Sequence, residues 1–187
     1  MFVCRMCHSQ DLFQFLDLGF TPLADQFLRK DKLIDSETYY PLNVHMCENC
    51  GLAQLGCRVS PEVLYRRDYP YESSTTAMGR NHWATFAKNA VRRLKLQKND
   101  LVVDIGSNVG ELLSHFRTEG MRIQGVDPAS NIVMVAEKRG IDTLCDFFNR
   151  DCAEKILSEK GKASVITGTN VFAHIDDLFS LMSEVRA

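Results

Sequence analysis

The chain has 187 residues, of which 45% are hydrophobic and 25% charged, and a formal net charge of −2. This is the make-up of a globular protein with room for one domain and a smaller module, and it lacks the basic excess that nucleic-acid or membrane-surface binding asks for. No stretch is long and apolar enough to span a bilayer, and Met1-Phe2-Val3-Cys4-Arg5 does not begin a signal peptide. A cytoplasmic location follows as an expectation, and there seven cysteines serve as metal ligands or buried thiols rather than disulfides.

The first feature in chain order is a pair of C-x-x-C knuckles, Cys4-Arg5-Met6-Cys7 and Cys47-Glu48-Asn49-Cys50-Gly51. Two such knuckles fit tetrahedral zinc held by Cys4, Cys7, Cys47 and Cys50. Gly51 permits the turn that aims backbone N–H groups at the sulfurs, while His8 holds the equivalent place in the first knuckle. His8 or His45 as a substitute ligand, or four buried thiols without metal, are the alternatives. Cys57, Cys145 and Cys152 have no paired spacing and read as structural. Leu12, Gln14, Leu16 and Leu18 alternate with Phe13, Phe15 and Asp17, and Leu42, Val44 and Met46 with Asn43 and His45, which predicts short strands. A module of residues 1–62 is too small to be held by apolar burial alone, so a closed, structural zinc would contribute on the order of 10 kcal/mol.

Residues 63–98 read as a connector and a lead-in helix. Leu64 to Thr76 is dense in hydroxyls and aromatics around Pro70. Tyr69 and Tyr71 either line a sugar or nucleotide pocket or pack two modules together. Trp83, Phe86, Ala87, Ala90, Val91 and Leu94 fall on one helical face, with Arg92, Arg93 and Lys95 on its solvated side. His82, at the helix start, is a candidate for substrate contact.

Residues 99–187 open with Leu101-Val-Val-Asp-Ile-Gly-Ser-Asn-Val-Gly-Glu-Leu-Leu113, a strand, a tight loop and a helix. Gly106 and Gly110 leave bare backbone for a ligand, and the N–H groups of the helix start face it. About twenty residues on, Arg122 to Val126 ends in Asp127, where a βαβ unit holds ribose hydroxyls. NAD and S-adenosylmethionine both carry that ribose. Ser107 and Asn108 interrupt the three-glycine pattern a pyrophosphate needs, and a polar loop behind Asp104 suits an amino-acid tail better. A sharp turn with no ligand is the bland alternative.

Further along, Ser130 is placed to cap a helix that buries Ile132, Val135 and Ala136 and ends at Lys138-Arg139-Gly140. Ile141 to Leu144 is a third strand, followed by Asp146-Phe147-Phe148, which either holds adenine or packs into the core. Asp151 and Glu154 open a helix through Ala153, Ile156 and Leu157. Ala163 to Thr167 is strand four. Asp176-Asp177 then starts a last helix with Leu178, Leu181, Met182 and Val185 inward. The predicted architecture is α/β: a small zinc-ribbon-like module followed by a doubly wound Rossmann-like sheet.

The knuckles, Leu18-Gly19, Pro22-Leu23-Ala24-Asp25-Gln26, Asp68-Tyr69-Pro70-Tyr71, Asp104-Ile105-Gly106-Ser107-Asn108, Val126-Asp127-Pro128-Ala129 and Asn170-Val171-Phe172-Ala173-His174-Ile175 together resemble the zinc-containing sugar C-methyltransferases, over essentially the whole chain. The resemblance implies methyl transfer from S-adenosylmethionine to a carbon beside the ketone of a nucleotide-linked deoxy-keto-sugar. It also implies that Asp104, Gly106, Ser107, Asn108, Gly110, Asp127 and Asn170 touch the methyl donor, joined by Phe147 from the adenine reading, and that Tyr69, Tyr71 and His174 face the sugar. Val109 departs from the pattern, standing where the family usually has aspartate. The chain also ends within the helix after strand four, whereas the family continues through further strands that carry its expected base. A truncated sheet, limited to cofactor binding and prone to self-association through the edge at Val165 and Ile166, is the corresponding expectation.

Carbon methylation requires a base to remove a proton beside the carbonyl and donors to hold the enolate oxygen. His174, just past strand four, is the imidazole that topology puts nearest the methyl, and helix capping or core hydrogen bonding is its other reading. The rival functions are an NAD-dependent sugar oxidoreductase and a non-enzymatic zinc-ribbon interaction module; an RNA-binding version of the latter lacks the basic stripe with interleaved aromatics it would need.

Overall fold

The computed structural model describes residues 2–66, 69–73 and 75–186. Two compact units make up the chain, Met1–Leu64 with Asp176–Leu178, and Tyr65–Ile175 with Phe179–Ala187.

In the smaller unit β1 (Leu12–Thr21), β2 (Tyr40–Cys47) and β3 (Ala53–Leu55) form an antiparallel sheet in the order β1-β2-β3. The alternating segments are strands as expected, but the alternation does not translate into one buried face. β1 shifts register between Gln14 and Leu16 and again between Asp17 and Phe20, and each bulge reverses which side chains share a face. Phe13, Phe15, Leu18 and Phe20 all remain exposed. β3 escaped the sequence pattern because three residues carry no period. Its Gln54 side chain is buried and pairs twice with the first knuckle, accepting from the Arg5 amide at 2.9 Å and donating to the Val3 carbonyl at 3.1 Å. A short helix α1 (Pro61–Tyr65) follows.

The larger unit begins with α2 (Ala77–Leu94), whose first turn is capped by the Thr76 hydroxyl accepting from the Gly79 amide at 3.1 Å. Ala87 is buried, with Trp83, Ala90 and Val91 packed on the same cluster. Phe86 and Leu94, predicted on that face, are instead exposed. Then come β4 (Leu101–Ile105), α3 (Glu111–Thr118), β5 (Arg122–Val126), α4 (Ser130–Lys138), β6 (Thr143–Leu144), α5 (Arg150–Lys160), β7 (Val165–Thr167) and α6 (Leu178–Arg186). The four strands are parallel, in the order β6-β5-β4-β7. This is the α/β architecture with a parallel sheet and a separate cysteine-bearing module that the sequence predicts.

β4 is buried along its whole length, as expected of a strand covered on both faces. Val102 joins Leu112, Leu113, Phe116 and Met121 on one side, while Leu101 and Val103 join Cys152 and Ile156 on the other. Each fully buried side chain of this size contributes roughly 1.5–3 kcal/mol.

Several details differ from the sequence reading. β6 and β7 are shorter than predicted. Ser130 does not cap α4: the N-cap is Ala129, with no side-chain cap bond, and the buried side is Ile132, Val133 and Ala136. The Asp127 carboxylate accepts from the amide of that N-cap residue at 2.9 Å, which fixes the turn from β5 into α4 without capping the helix. α5 is capped by Asn149, whose side chain accepts from the Cys152 amide at 2.9 Å. Leu157 and Met182, expected inward, are exposed, and Leu181 is the buried residue of α6.

Candidate functional sites

Cys4, Cys7, Cys47 and Cys50 present sulfurs that all lie within 4.8 Å of one another. The Cys4–Cys50 and Cys7–Cys47 pairs are each 3.6 Å apart, close to the edge of about 3.8 Å that a tetrahedron with zinc–sulfur bonds of about 2.3 Å requires. Both knuckles turn alike. The His8 amide donates to the Cys4 carbonyl at 3.0 Å and the Gly51 amide to the Cys47 carbonyl at 2.8 Å, with positive φ of 59° at His8 and 76° at Gly51. The first knuckle thus takes the glycine conformation without a glycine. Donors are aimed at the sulfurs: the Met6 amide at Cys4 and the Asn49 side chain at Cys7, both at 3.4 Å. The Asn49 amide, with the Ser9 backbone, brings the Cys7 thiol down to about 6. Cys50 moves the opposite way. The Leu52 amide favours its thiolate, but burial and the three neighbouring thiols push it up to about 12. Four thiols alone hold fewer negative charges than they have sulfurs, and a dication removes that limit, so the donor set fits zinc. Of the remaining cysteines, Cys152 is buried in the core as expected of a structural thiol, whereas Cys145 is exposed.

The second site lies where the strand order reverses. After β6 the chain returns past β5 and lays β7 on the far side of β4, and ligands of such sheets bind outside the carboxyl ends at that switch point. The loops that meet there are 106–110 after β4 and 168–171 after β7. A Cβ on Gly106, at φ +66°, would sit 2.6 Å from the Val171 side chain. Gly110 (φ +74°) is closed off in the same way by Ile141, 2.7 Å from its missing Cβ, so its lack of a side chain serves packing within the unit. Asn108 takes a left-handed conformation between them, at φ 51°.

Two carboxylates are buried in this crevice. Asp104 is 2% exposed and its Oδ1 accepts from the Thr167 hydroxyl at 2.6 Å, which bolts β4 to β7 at the switch point. Burial pushes its carboxyl up to about 6; the Thr167 bond opposes the rise and the Asp127 charge adds to it. Asp127 is raised as well, by burial, against the pull of two amides. Its Oδ2 accepts from Asn108 and its Oδ1 from Ala129, both at 2.9 Å. Neither carboxylate makes an ion pair among the described residues.

The connector joins this crevice. The Asn108 side chain donates to the Tyr71 carbonyl at 2.9 Å and accepts from the Ser73 amide at 2.8 Å. Asn131, on α4, donates to the Tyr69 carbonyl at 2.8 Å and accepts from the Tyr69 amide at 3.3 Å. The Tyr69 ring packs against Val109, Ala129 and Ile132, and Tyr71 is exposed. The valine at the expected aspartate position is therefore fully buried beneath Tyr69. Asp68, in the same motif, lies outside the described residues.

The other predicted residues fall as follows. Phe147 follows β6, half-buried, with the Arg66 guanidinium 5.1 Å above its ring and within 3.3 Å of Asp146. Asn170 is exposed after β7 at φ 57°. His174 is exposed in a 3-10 turn, Phe172–His174, its ring 6.3 Å from that of Tyr65, which lies 5.7 Å from Tyr69. Ser107 is buried, with its hydroxyl unpartnered among the described residues and facing Gly125 on β5. His82 stacks edge-on against Trp83, ring centroids 4.8 Å apart. Thr167, Asn131, Arg66 and Tyr65 were missed. Only Thr167, a hydroxyl in register with Asp104 on the next strand, had a sequence signal, because it ends an apolar strand.

Residues 80–187 match a family described as "Methyltransferase domain", and residues 4–65 one described as "Putative zinc binding domain". Among curated proteins, the C-methyltransferase NovU of Streptomyces niveus is 36% identical over 184 residues, which cover 98% of this chain and 44% of NovU. An anhydro-N-acetylmuramic acid kinase of Pseudomonas putida is 28% identical over 122 residues, 57% of this chain and 32% of its own. Among solved structures, the plantazolicin methyltransferase BpumL, in complex with a desmethylPZN analogue and SAH, has a TM-score of 0.46 at 17% identity, covering 59% of this chain and 43% of that one. The chain thus spans less than half the length of the curated relatives it matches. No helix among the described residues is long and apolar enough to cross a membrane.

Proposed function

Since the chain belongs to the methyltransferase-domain family, we propose that it serves the transfer of a methyl group from S-adenosylmethionine to a carbon of a nucleotide-linked keto-deoxy-sugar. Family membership makes S-adenosylmethionine the cofactor of the larger unit, and the zinc-binding match with its four-thiol cluster makes zinc the metal of the smaller.

The observation that carries the donor reading is the pair of buried carboxylates, Asp104 and Asp127, at the carboxyl ends of neighbouring strands without a basic partner among the described residues. A cationic ligand relieves their burial and mutual repulsion, whereas the pyrophosphate of NAD adds negative charge to a site already short of positive charge. Asp127 keeps acceptor capacity beyond its two amides for a ribose hydroxyl. When bound, the donor supplies an electrophilic methyl on its sulfonium; the chain's part is to orient it and exclude water.

The sugar side rests on the sequence resemblance to sugar C-methyltransferases and on NovU, which is named a C-methyltransferase. In this reading His174, exposed beyond β7, accepts the proton released beside the carbonyl, and Tyr71 presents its hydroxyl to the sugar while Tyr69 seats that segment. Gly106, Ser107, Asn108, Gly110, Phe147 and Asn170 complete the donor side.

Calorimetric titration with S-adenosylmethionine and with NAD tests the donor reading. Saturable binding of the former and none of the latter at the same concentration is expected, and Asp127→Asn should weaken it by about 1–3 kcal/mol through lost charge-assisted hydrogen bonds. Tighter binding of NAD would move the protein to the oxidoreductase class.

A further inference from the structure

The connector carries no regular structure between Arg66 and Ser73 among the described residues, yet its backbone is not left to solvent. Two asparagine side chains pair with it as a neighbouring strand would, each giving one N–H and taking one. Asn131 closes both bonds on Tyr69, and Asn108 closes one on Tyr71 and one on Ser73. A carboxamide is a peptide group on a short stem, so this is sheet pairing supplied from a helix and a loop.

The anchors share their residues with the donor crevice. The Asn108 amide donates to Asp127 while its side chain holds Tyr71. Arg66, at the other end of the connector, is held by Asp146 and lies over Phe147. The connector is therefore fixed beside the ends of β4, β5 and β6, at Asn108 itself and at Asn131 and Asp146, which neighbour the residues assigned above to the donor. A ligand there cannot change the loop or the Phe147 ring without acting on the connector's anchors.

We propose that Asn131 is a positioning residue of the donor site. It has no place among the groups that would touch the ligand; it fixes Tyr69, and through Tyr69 the backbone that carries Tyr71 and meets Asn108, so that donor binding and connector ordering are coupled. The inference rests on the methyl-donor reading above and deepens it.

Amide hydrogen exchange of the full chain, with and without S-adenosylhomocysteine, tests it alongside titration of Asn131 variants. In the wild type the Tyr69 and Ser73 amides are protected and become more so with ligand. In Asn131→Ala the Tyr69 amide exchanges roughly tenfold faster, ligand no longer protects it, and affinity falls roughly three- to tenfold, while the β4 amides keep their protection. Two further variants separate positioning from bulk. Asn131→Asp has the same shape and keeps an acceptor for the Tyr69 amide but sets a second acceptor against the Tyr69 carbonyl, so the two-bond pairing is lost and ligand affinity should fall as in alanine; Asn131→Gln keeps the carboxamide and should recover part of the coupling. Ligand affinity and Tyr69 exchange unchanged in Asn131→Ala, or wild-type behaviour in Asn131→Asp, overturns the positioning role alone. A wild-type chain that does not bind S-adenosylhomocysteine overturns the donor reading, and the positioning role with it.

Discussion

The two units of this chain are held together by different forces. In the larger, a parallel sheet is covered on both faces, with Leu113, Phe116, Val102 and Ile141 among the residues shut off from solvent. In the smaller, the buried apolar residues among those described are Cys4 and Cys47, two of the four candidate metal ligands. Phe13, Phe15, Leu16, Leu18 and Phe20, all on its bulged first strand, are exposed. One unit has a hydrophobic core and the other has a coordination sphere in the core's place, which teaches that a strand rich in apolar residues need not owe its fold to apolar burial.

The largest expected effect breaks this comparison at its centre. Stripping the metal with a chelator, or replacing Cys47 by serine, should unfold the smaller unit, since zinc binding contributes on the order of 10 kcal/mol to modules of this kind. The larger unit should be spared. Trp83, the single tryptophan, packs on the larger core, so its fluorescence reports that unit alone while metal analysis and circular dichroism follow the other. A smaller unit that stays folded without metal would show that its exposed aromatics are covered in solution and that the comparison is wrong.

A second, smaller effect sharpens the contrast from the other side. Leu113→Ala removes a fully buried side chain and should cost the larger unit about 2–5 kcal/mol in denaturant unfolding followed at Trp83. Phe20→Ala removes a larger side chain from β1, but one 69% exposed, and should fall within about 0.5 kcal/mol. Equal costs would mean that the sheet of the smaller unit hides a core of its own.

The same division explains what was legible in the sequence. Thiolate spacing states a metal centre directly, because four ligands and a turn are local chemistry, and all four cysteines converge. The strand-loop-helix from Leu101 to Leu113 was equally plain, since a doubly buried strand is a continuous apolar run. Burial in the smaller sheet was not legible: alternation reports a buried face only if the register is unbroken and a second layer exists, and the bulges beside Leu16 and Phe20 break the register. Capping of α4 was misassigned because Ser130 is the usual signal, whereas the helix begins from Ala129, which offers no side-chain cap. The connector's pairing with Asn131 was invisible, because a side-chain carboxamide that stands in for a strand leaves no periodicity at either partner.

The last prediction concerns a cost that the larger unit bears within its own core. Asp104 is a buried charge-bearing group held by one hydroxyl among the described residues, and burial lifts its carboxyl to about 6, above the unfolded value of about 3.9. The native state therefore binds more protons than the unfolded state between those values, so this group's contribution to stability falls as pH rises from about 4 to 6 and stays low at neutrality. The difference amounts to about 3 kcal/mol at most. Asp104→Asn retains an oxygen to accept from Thr167 and removes the charge. At pH 7 the variant should be more stable than the wild type in unfolding followed at Trp83, the gap closing as pH falls towards 4, while its affinity for the cationic donor drops. A variant that is less stable at pH 7 would mean that the carboxylate has a counter-charge in the folded chain, and the argument from two uncompensated acids to a cationic ligand would fall with it.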